Sequence, residues 1–194
     1  MDISATQIKA LRDETGISVM QCKAALEEAG GDVEKARVIL RKKGNEAATK
    51  KSDRTLAAGT IGSYVHTTGD VASLVALSCE TDFVAKNEEF ISLARDIAMH
   101  VTALAPLYRM REDVDATAIE NAKAVFAKEV DGKPEDLKEK ILTGKLDAYF
   151  KDQTLYEQPF IKNPDQTVEE LLATATQKFG ERIVVAAMHR LSVR

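Results

Sequence analysis

The chain has 194 residues, 44% hydrophobic and 30% charged, with 10 Gly and 4 Pro, enough for one sizeable core or a small domain plus a medium one. Its 27 basic and 31 acidic residues leave a formal charge of −4, with no Trp and 5% aromatics. It therefore lacks both the basic surplus and the stacking residues of a direct nucleic-acid binder.

No stretch approaches the ~20 apolar residues of a membrane span, so no membrane partner is expected. The opening Met1-Asp2-Ile3-Ser4-Ala5-Thr6 has neither the basic and apolar regions of a signal peptide nor the Arg-rich pattern of a transit peptide. Cys22 and Cys79 lie far apart in unlike contexts. Neither a disulfide scaffold nor a cysteine zinc site is expected, and the expected location is a reducing cytoplasm.

The first 44 residues read as three short helices. Ser4-Ala5-Thr6-Gln7 is a capping box, and that helix ends at Gly16. Ser18-Val19-Met20-Gln21 is a second box, whose helix stops at Gly30-Gly31; Asp32 caps a third helix, closing at Gly44. Ile8, Leu11, Val19, Cys22, Leu26, Ala29, Val33, Ala36 and Leu40 fall at three- and four-residue spacing and make one miniature core. Asn45 to Arg54 is small and polar and reads as a linker, helical in part. The basic run Arg41-Lys42-Lys43 and Lys50-Lys51 is either a solvated helix end or a steering patch for an acidic partner.

The composition then shifts. Thr60–His66 and Val71–Cys79 are strand-like, with Thr67-Thr68-Gly69-Asp70 a hairpin turn between them. A helix follows, with Phe90, Ala94, Ile97, Val101 and Leu104 on one stripe and Pro106 as its stop. Another starts near Asp115, with Ile119, Ala122, Phe126 and Val130 on one face. Pro134 opens the next, carrying Leu137, Ile141 and Leu142, with Gly144 at its end and a helical continuation over 145–153. Gln158-Pro159-Phe160 and Asn163-Pro164 break the pattern. Thr167-Val168-Glu169-Glu170 is a capping box for a helix ending at Gly180, and Ile183–Met188 reads as a strand returning beside the hairpin.

Catalytic patterns are missing from the sequence: no HExxH, Cys-x-x-Cys, GxGxxG, GxxxxGK[ST] or GxSxG. His66, His100 and His189 are spread over different elements, and His100 reads as a partly buried helix histidine satisfied by hydrogen bonds. A hydrolase built from His66, His100 and nearby acids is the alternative. Met20 points about 150° from the centre of its helix's core stripe, with Lys23 about 60° from it on the outer face. That is either chance exposure or an adaptable contact, which a thioether chain suits. Phe83, between Asp82 and Val84 on a strand-to-helix connection, is the second candidate. Pattern alone favours it as a plug in the helix–sheet core. Asn87 as the cap of the next helix would instead leave it on the connection, where binding residues are displayed.

Thr81-Asp82-Phe83-Val84-Ala85-Lys86-Asn87 resembles the TDFVA-x-N signature of the bacterial elongation factor Ts family, the nucleotide exchange factors of elongation factor Tu. Leu11–Gly16, Cys22-Lys23-Ala24-Ala25-Leu26, Ala98-Met99-His100-Val101, Gly132-Lys133-Pro134 and Gln158-Pro159-Phe160 match in order across nearly the whole chain. One departure is Val19-Met20, where many members have two consecutive methionines.

The resemblance implies an α+β fold: a three-helix ubiquitin-associated-like domain over 1–45, a linker over 46–57, and a core of helices on a small antiparallel sheet over 58–194, with a helical insertion at about 113–153. It implies no enzyme and no cofactor or metal, but a factor that binds elongation factor Tu·GDP, disrupts its magnesium and phosphate site and promotes GDP release. Asp82 and Phe83 would enter the partner, with Thr81 and Val84 also contacting it, while Met20, Lys23 and Arg12 would touch it from the N-terminal module. His66, Phe179 and Gly180 match further contact positions. Only one core unit is visible, as in the short form of the family, so a homodimer is expected, with a monomer as the simpler alternative. A polypeptide-binding adaptor using the N-terminal module is the competing reading.

Overall fold

In the computed structural model, which describes residues 3–130 and 134–193, side-chain oxygens start the opening helices. Ser4 accepts from the Gln7 amide while Gln7 accepts from Ser4 N, closing the box ahead of α1 (Ala5–Thr15); Gly16 ends the helix at φ 68°. Ser18 caps α2 (Val19–Glu28) and Asp32 caps α3 (Val33–Lys50). Leu11, Cys22, Leu26, Ala36 and Leu40 make the expected core, joined by Ile17 and Ala25. Val19 does not join it and is half exposed. Ile17, just before the Ser18 cap, packs on Cys22 four residues inside the helix and takes that place as a hydrophobic staple.

The third helix does not close at Gly44. It runs on to Lys50, so residues 46–50 of the expected linker are helical. Gly44 is buried where α3 crosses a later helix, and a Cβ there would lie 3.3 Å from the Ala173 carbonyl oxygen. The missing side chain permits a close approach; Gly44 lacks the left-handed conformation with which a glycine ends a helix.

After residues 51–57, β1 (Ala58–Val65) and β2 (Val71–Cys79) form the antiparallel hairpin, with Ala58 opposite Cys79 and Val65 opposite Ala72. Gly69 turns the corner at φ 71°. A short helix, α4 (Asp82–Ala85), precedes α5 (Glu88–Leu104), which Asn87 caps through the Glu89 amide. Phe90, Ala94, Ile97 and Val101 of α5 cover the sheet. Gly62 lets them do so, because a Cβ at that position would fall 2.1 Å from the Ala94 carbonyl oxygen. Leu104, in the last turn, is exposed.

Two helices, α6 (Ala116–Glu129) and α7 (Glu135–Gln153), come next. They meet through Phe126 against Tyr149 and a Lys145–Glu129 ion pair. Gly144 does not end α7. Gly132 and Lys133 of the family match lie outside the described residues.

The segment read as breaks holds a small hairpin, β3 (Pro159–Phe160) and β4 (Asn163–Thr167), with Phe160 opposite Asn163. The Thr167–Glu170 box opens α8 (Val168–Phe179), which Gly180 ends at φ 74°. Finally β5 (Val184–Ser192) pairs antiparallel with β2, giving the order β1-β2-β5. Its register shifts between Ala76 and Leu77 of β2. Arg109 donates to the Val185 and Ala186 carbonyls there, and Tyr156 Oη accepts from Val185 N, so the irregularity leaves these polar groups paired.

Candidate partner-binding surface

Two caps in close succession shape the strand-to-helix connection. Thr81 accepts from Val84 N and opens α4, and Asn87 opens α5 six residues later. So short a helix buries Val84, packs Ala85 partly against the core and displays Asp82 and Phe83. Val84 is 4% exposed and belongs to the core, whereas Phe83 is 82% exposed. Phe83 is thus not the plug that pattern alone favours; Val84 fills that role. Asp82 and Lys86, both exposed, pair at 2.7 Å one helical turn apart. The Lys86 hydrogen bond draws the Asp82 carboxyl below its usual pKa and raises that of Lys86 in turn.

The connection is tied to the corner between α8 and β5. Glu181 accepts from Glu80 N, Thr81 N and the Thr81 hydroxyl at 3.0, 3.0 and 2.6 Å. In return the Glu80 carboxylate accepts from Arg182 N at 2.6 Å and from the Arg54 guanidinium at 3.2 Å. The backbone hydrogen bond from Arg182, with Arg54 adding, lowers the Glu80 pKa. Nothing local in the sequence marks Glu181, which lies a hundred residues from Thr81.

Met20 is 74% exposed on the outer face of α2, and Lys23 nearby pairs with Glu27 at 3.7 Å. Arg12, in the last turn of α1, is exposed beside Asp13. This module meets the C-terminal half of α8: Gln21 shares a groove with Gln177, and Gly16 abuts the Lys178 side chain. Lys51 Nζ donates to the Gly180 carbonyl at 2.9 Å. The α2 face and the Phe83 turn therefore both adjoin one end of α8. Phe179 is half-buried there, edge-on to Phe90 at 5.9 Å, and Gly180 is exposed.

His66 is elsewhere. It follows β1 at the hairpin end, while Thr81 follows β2 at the other, so the eight residues of β1 separate them by roughly 25 Å at about 3.3 Å per residue. Much of the basic run is engaged within the chain, Arg41 with Glu170, Lys43 with Glu28 and Lys51 with the Gly180 carbonyl.

Histidine chemistry finds no support. Ile161 N donates to His100 Nδ1 at 3.2 Å, so Nε2 carries the proton and donates to Gln158 Oε1 at 2.9 Å. The ring is fully buried, and desolvation lowers its pKa against the opposing Gln158 hydrogen bond. Among the described residues no three His, Cys, Asp or Glu are grouped to hold a metal ion. Cys22 and Cys79 are free and buried, and no described helix is long and apolar enough to cross a membrane.

These features define an α+β protein that displays an exposed apolar and charged surface at one end of α8. A family model described as Elongation factor TS matches residues 9–193. An elongation factor Ts of Geotalea uraniireducens is 47% identical over 188 residues, covering 95% of this chain and 87% of the relative. One from Alkaliphilus oremlandii is 43% identical over 195 residues, covering 100% and 90%, and one from Heliobacterium modesticaldum is 42% identical over 193 residues, covering 98% and 90%. The chain belongs to the elongation factor Ts family, whose members act as nucleotide exchange factors in translation elongation.

Proposed function

We propose that this chain binds elongation factor Tu·GDP, disturbs the magnesium and phosphate site of that GTPase, and promotes GDP release so that GTP can rebind. The observation that carries this reading is Phe83: a large aromatic at 82% exposure, on a turn anchored by Val84 and Thr81. Asp82 and Phe83 enter the partner, with Thr81 holding the turn. Val84 serves as its anchor in the core. Met20, Lys23 and Arg12 contact the same GTPase from the N-terminal module, with Phe179 and Gly180 between. His66 touches a separate part of the partner.

Magnitudes require several contacts. Accelerating release by roughly four orders of magnitude takes about 5.5 kcal/mol of differential stabilisation. Burying one Phe contributes about 1.5–3 kcal/mol, so the N-terminal face and the α8 end must supply the rest. Linkage makes the effect reciprocal: nucleotide weakens the factor's binding as much as the factor weakens nucleotide's, which lets the factor turn over. No bond is made or broken by the factor itself, and the partner is a protein in the cytoplasm, without direct nucleic-acid or membrane contact.

The active form is a homodimer. One face of the sheet packs on α5, while the other displays Ile61, Val65, Leu74 and Leu191, all substantially exposed. The register gathers them: Ile61 opposite Ala76, Val65 opposite Ala72, and Ala72 opposite Leu191. An apolar sheet face of this kind is self-complementary about a two-fold axis. Pairing it with a second copy supplies a second core unit, and the matched relatives are chains of similar length.

The test is release of a fluorescent GDP analogue from bacterial elongation factor Tu. Strong acceleration by the native chain, lost in Phe83→Ala, is expected. A folded native chain without effect on a well-matched partner would sink the reading and favour the polypeptide adaptor.

A further inference from the structure

We propose that Glu181, on the corner between α8 and β5, is the positioning residue that holds the Asp82–Phe83 turn in its outward presentation. The proposal rests on the exchange reading above for its functional consequence, and on the hydrogen-bond geometry for its structural one.

The turn has little of its own to hold it. Helix α4 spans four residues, too few for helix propensity to fix a conformation, and it is anchored in the core only by Val84 and, in part, the small Ala85. The Asp82–Lys86 pair is exposed on both sides and adds little rigidity. The backbone amides of Glu80 and Thr81, at the exit of β2, would be left to solvent without Glu181. Its carboxylate takes both at one oxygen and the Thr81 hydroxyl at the other.

That hydroxyl bond also fixes Thr81 as a cap. Thr81 has a single hydroxyl proton. Donated to Glu181, it leaves an oxygen lone pair facing Val84 N, which Thr81 accepts at 3.5 Å. Glu181 thus acts on the turn through a chain of charge-assisted hydrogen bonds, whose members reinforce one another.

The corner that carries Glu181 is itself held. Glu80 accepts from Arg182 N, Arg182 donates to the Arg54 carbonyl, and Lys51 donates to the Gly180 carbonyl. Arg54 and Lys51 follow α3 of the N-terminal module. Phe83 is therefore held in register with the element on which the Met20 face also rests. Loss of Glu181 leaves the aromatic present but only fractionally in its competent position, and apparent affinity falls by that fraction.

The experiment compares Glu181→Ala, Glu181→Gln, Phe83→Ala and the Glu181→Ala/Phe83→Ala double variant in GDP-analogue release from elongation factor Tu. Hydrogen exchange of the Glu80 and Thr81 amides is measured on the free protein. Glu181→Ala is expected to lower exchange efficiency about tenfold and to speed exchange of both amides by at least about tenfold. Glu181→Gln retains an acceptor oxygen and should recover most of both. With Phe83 already removed, Glu181→Ala should cost less than about twofold more.

Unchanged amide exchange in Glu181→Ala would overturn the structural claim. An activity loss equally large in the Phe83→Ala background would overturn the positioning role, as would native-like activity in Glu181→Ala. Should the native chain fail to release GDP at all, the exchange reading falls, while the amide measurement still decides whether Glu181 holds the turn.

Discussion

Phe83 and Val84 are neighbours in the chain on opposite sides of the surface: the first is 82% exposed and the second 4% exposed. The α4 turn separates their duties, and substitution should separate the measurements. Phe83→Ala is expected to lose most exchange activity while thermal stability stays within about 0.5 kcal/mol of native. Val84→Ala should lower stability by about 2 kcal/mol, seen in chemical denaturation, because it empties part of the core.

In the proposed complex Met20 reaches the same partner from the N-terminal helices. Met20→Ala should weaken binding to nucleotide-free elongation factor Tu by about 1 kcal/mol, measured by calorimetry, with an unchanged melting curve. Residues that share no contacts combine additively, so the Met20→Ala/Phe83→Ala double variant should show the sum of the two losses. Strong non-additivity would mean that the two faces do not engage independently.

Leu74 sits at the centre of the open sheet face, between Ser63 on β1 and His189 on β5. In the proposed homodimer Leu74→Lys places a charge in the apolar face that the two copies share. It should turn a dimer into a monomer in sedimentation equilibrium while leaving the fold intact. A native chain that sediments as a monomer at all concentrations would count against the pairing.

His100 makes stability depend on pH. The unfolded imidazole takes up a proton below about pH 6.5. The buried ring, its pKa lowered by desolvation, takes one only at lower pH. Its stabilising contribution is therefore complete above that pH and is lost as pH falls toward the folded value. Melting temperature should drop on acidification from pH 7 to 5.5. His100→Gln should be less stable at pH 7, by about 1–3 kcal/mol, yet flatter across that range.

Gly62 tests the sheet–helix approach. With the Ala94 carbonyl oxygen 2.1 Å from where its Cβ would sit, Gly62→Ala must push α5 off the sheet. A loss of about 3 kcal/mol or more is expected in thermal unfolding.

Much of this molecule is local and therefore legible in its sequence. Ser4, Asp32, Asn87 and Thr167 cap the helices as their spacing predicts, and Gly16 and Gly180 end them in the left-handed conformation. Each involves groups only a few residues apart, so the chain itself carries the information. The strand alternation and the outward Met20 follow from helix and strand periods in the same way, and the TDFVA-type motif carries the family.

Tertiary structure alone decided the rest. Gly44 reads as a stop but serves as a crossing point, because Ala173 arrives there from another helix. Phe83 reads as core, but the short helix between two caps turns Val84 inward in its place. Pro159-Phe160 reads as a break but forms a strand whose Phe160 stacks on His100. Glu181 carries no signal of any kind, since its meaning lies in amides a hundred residues away. Sequence determines which groups need partners; only the folded chain determines which distant groups answer them.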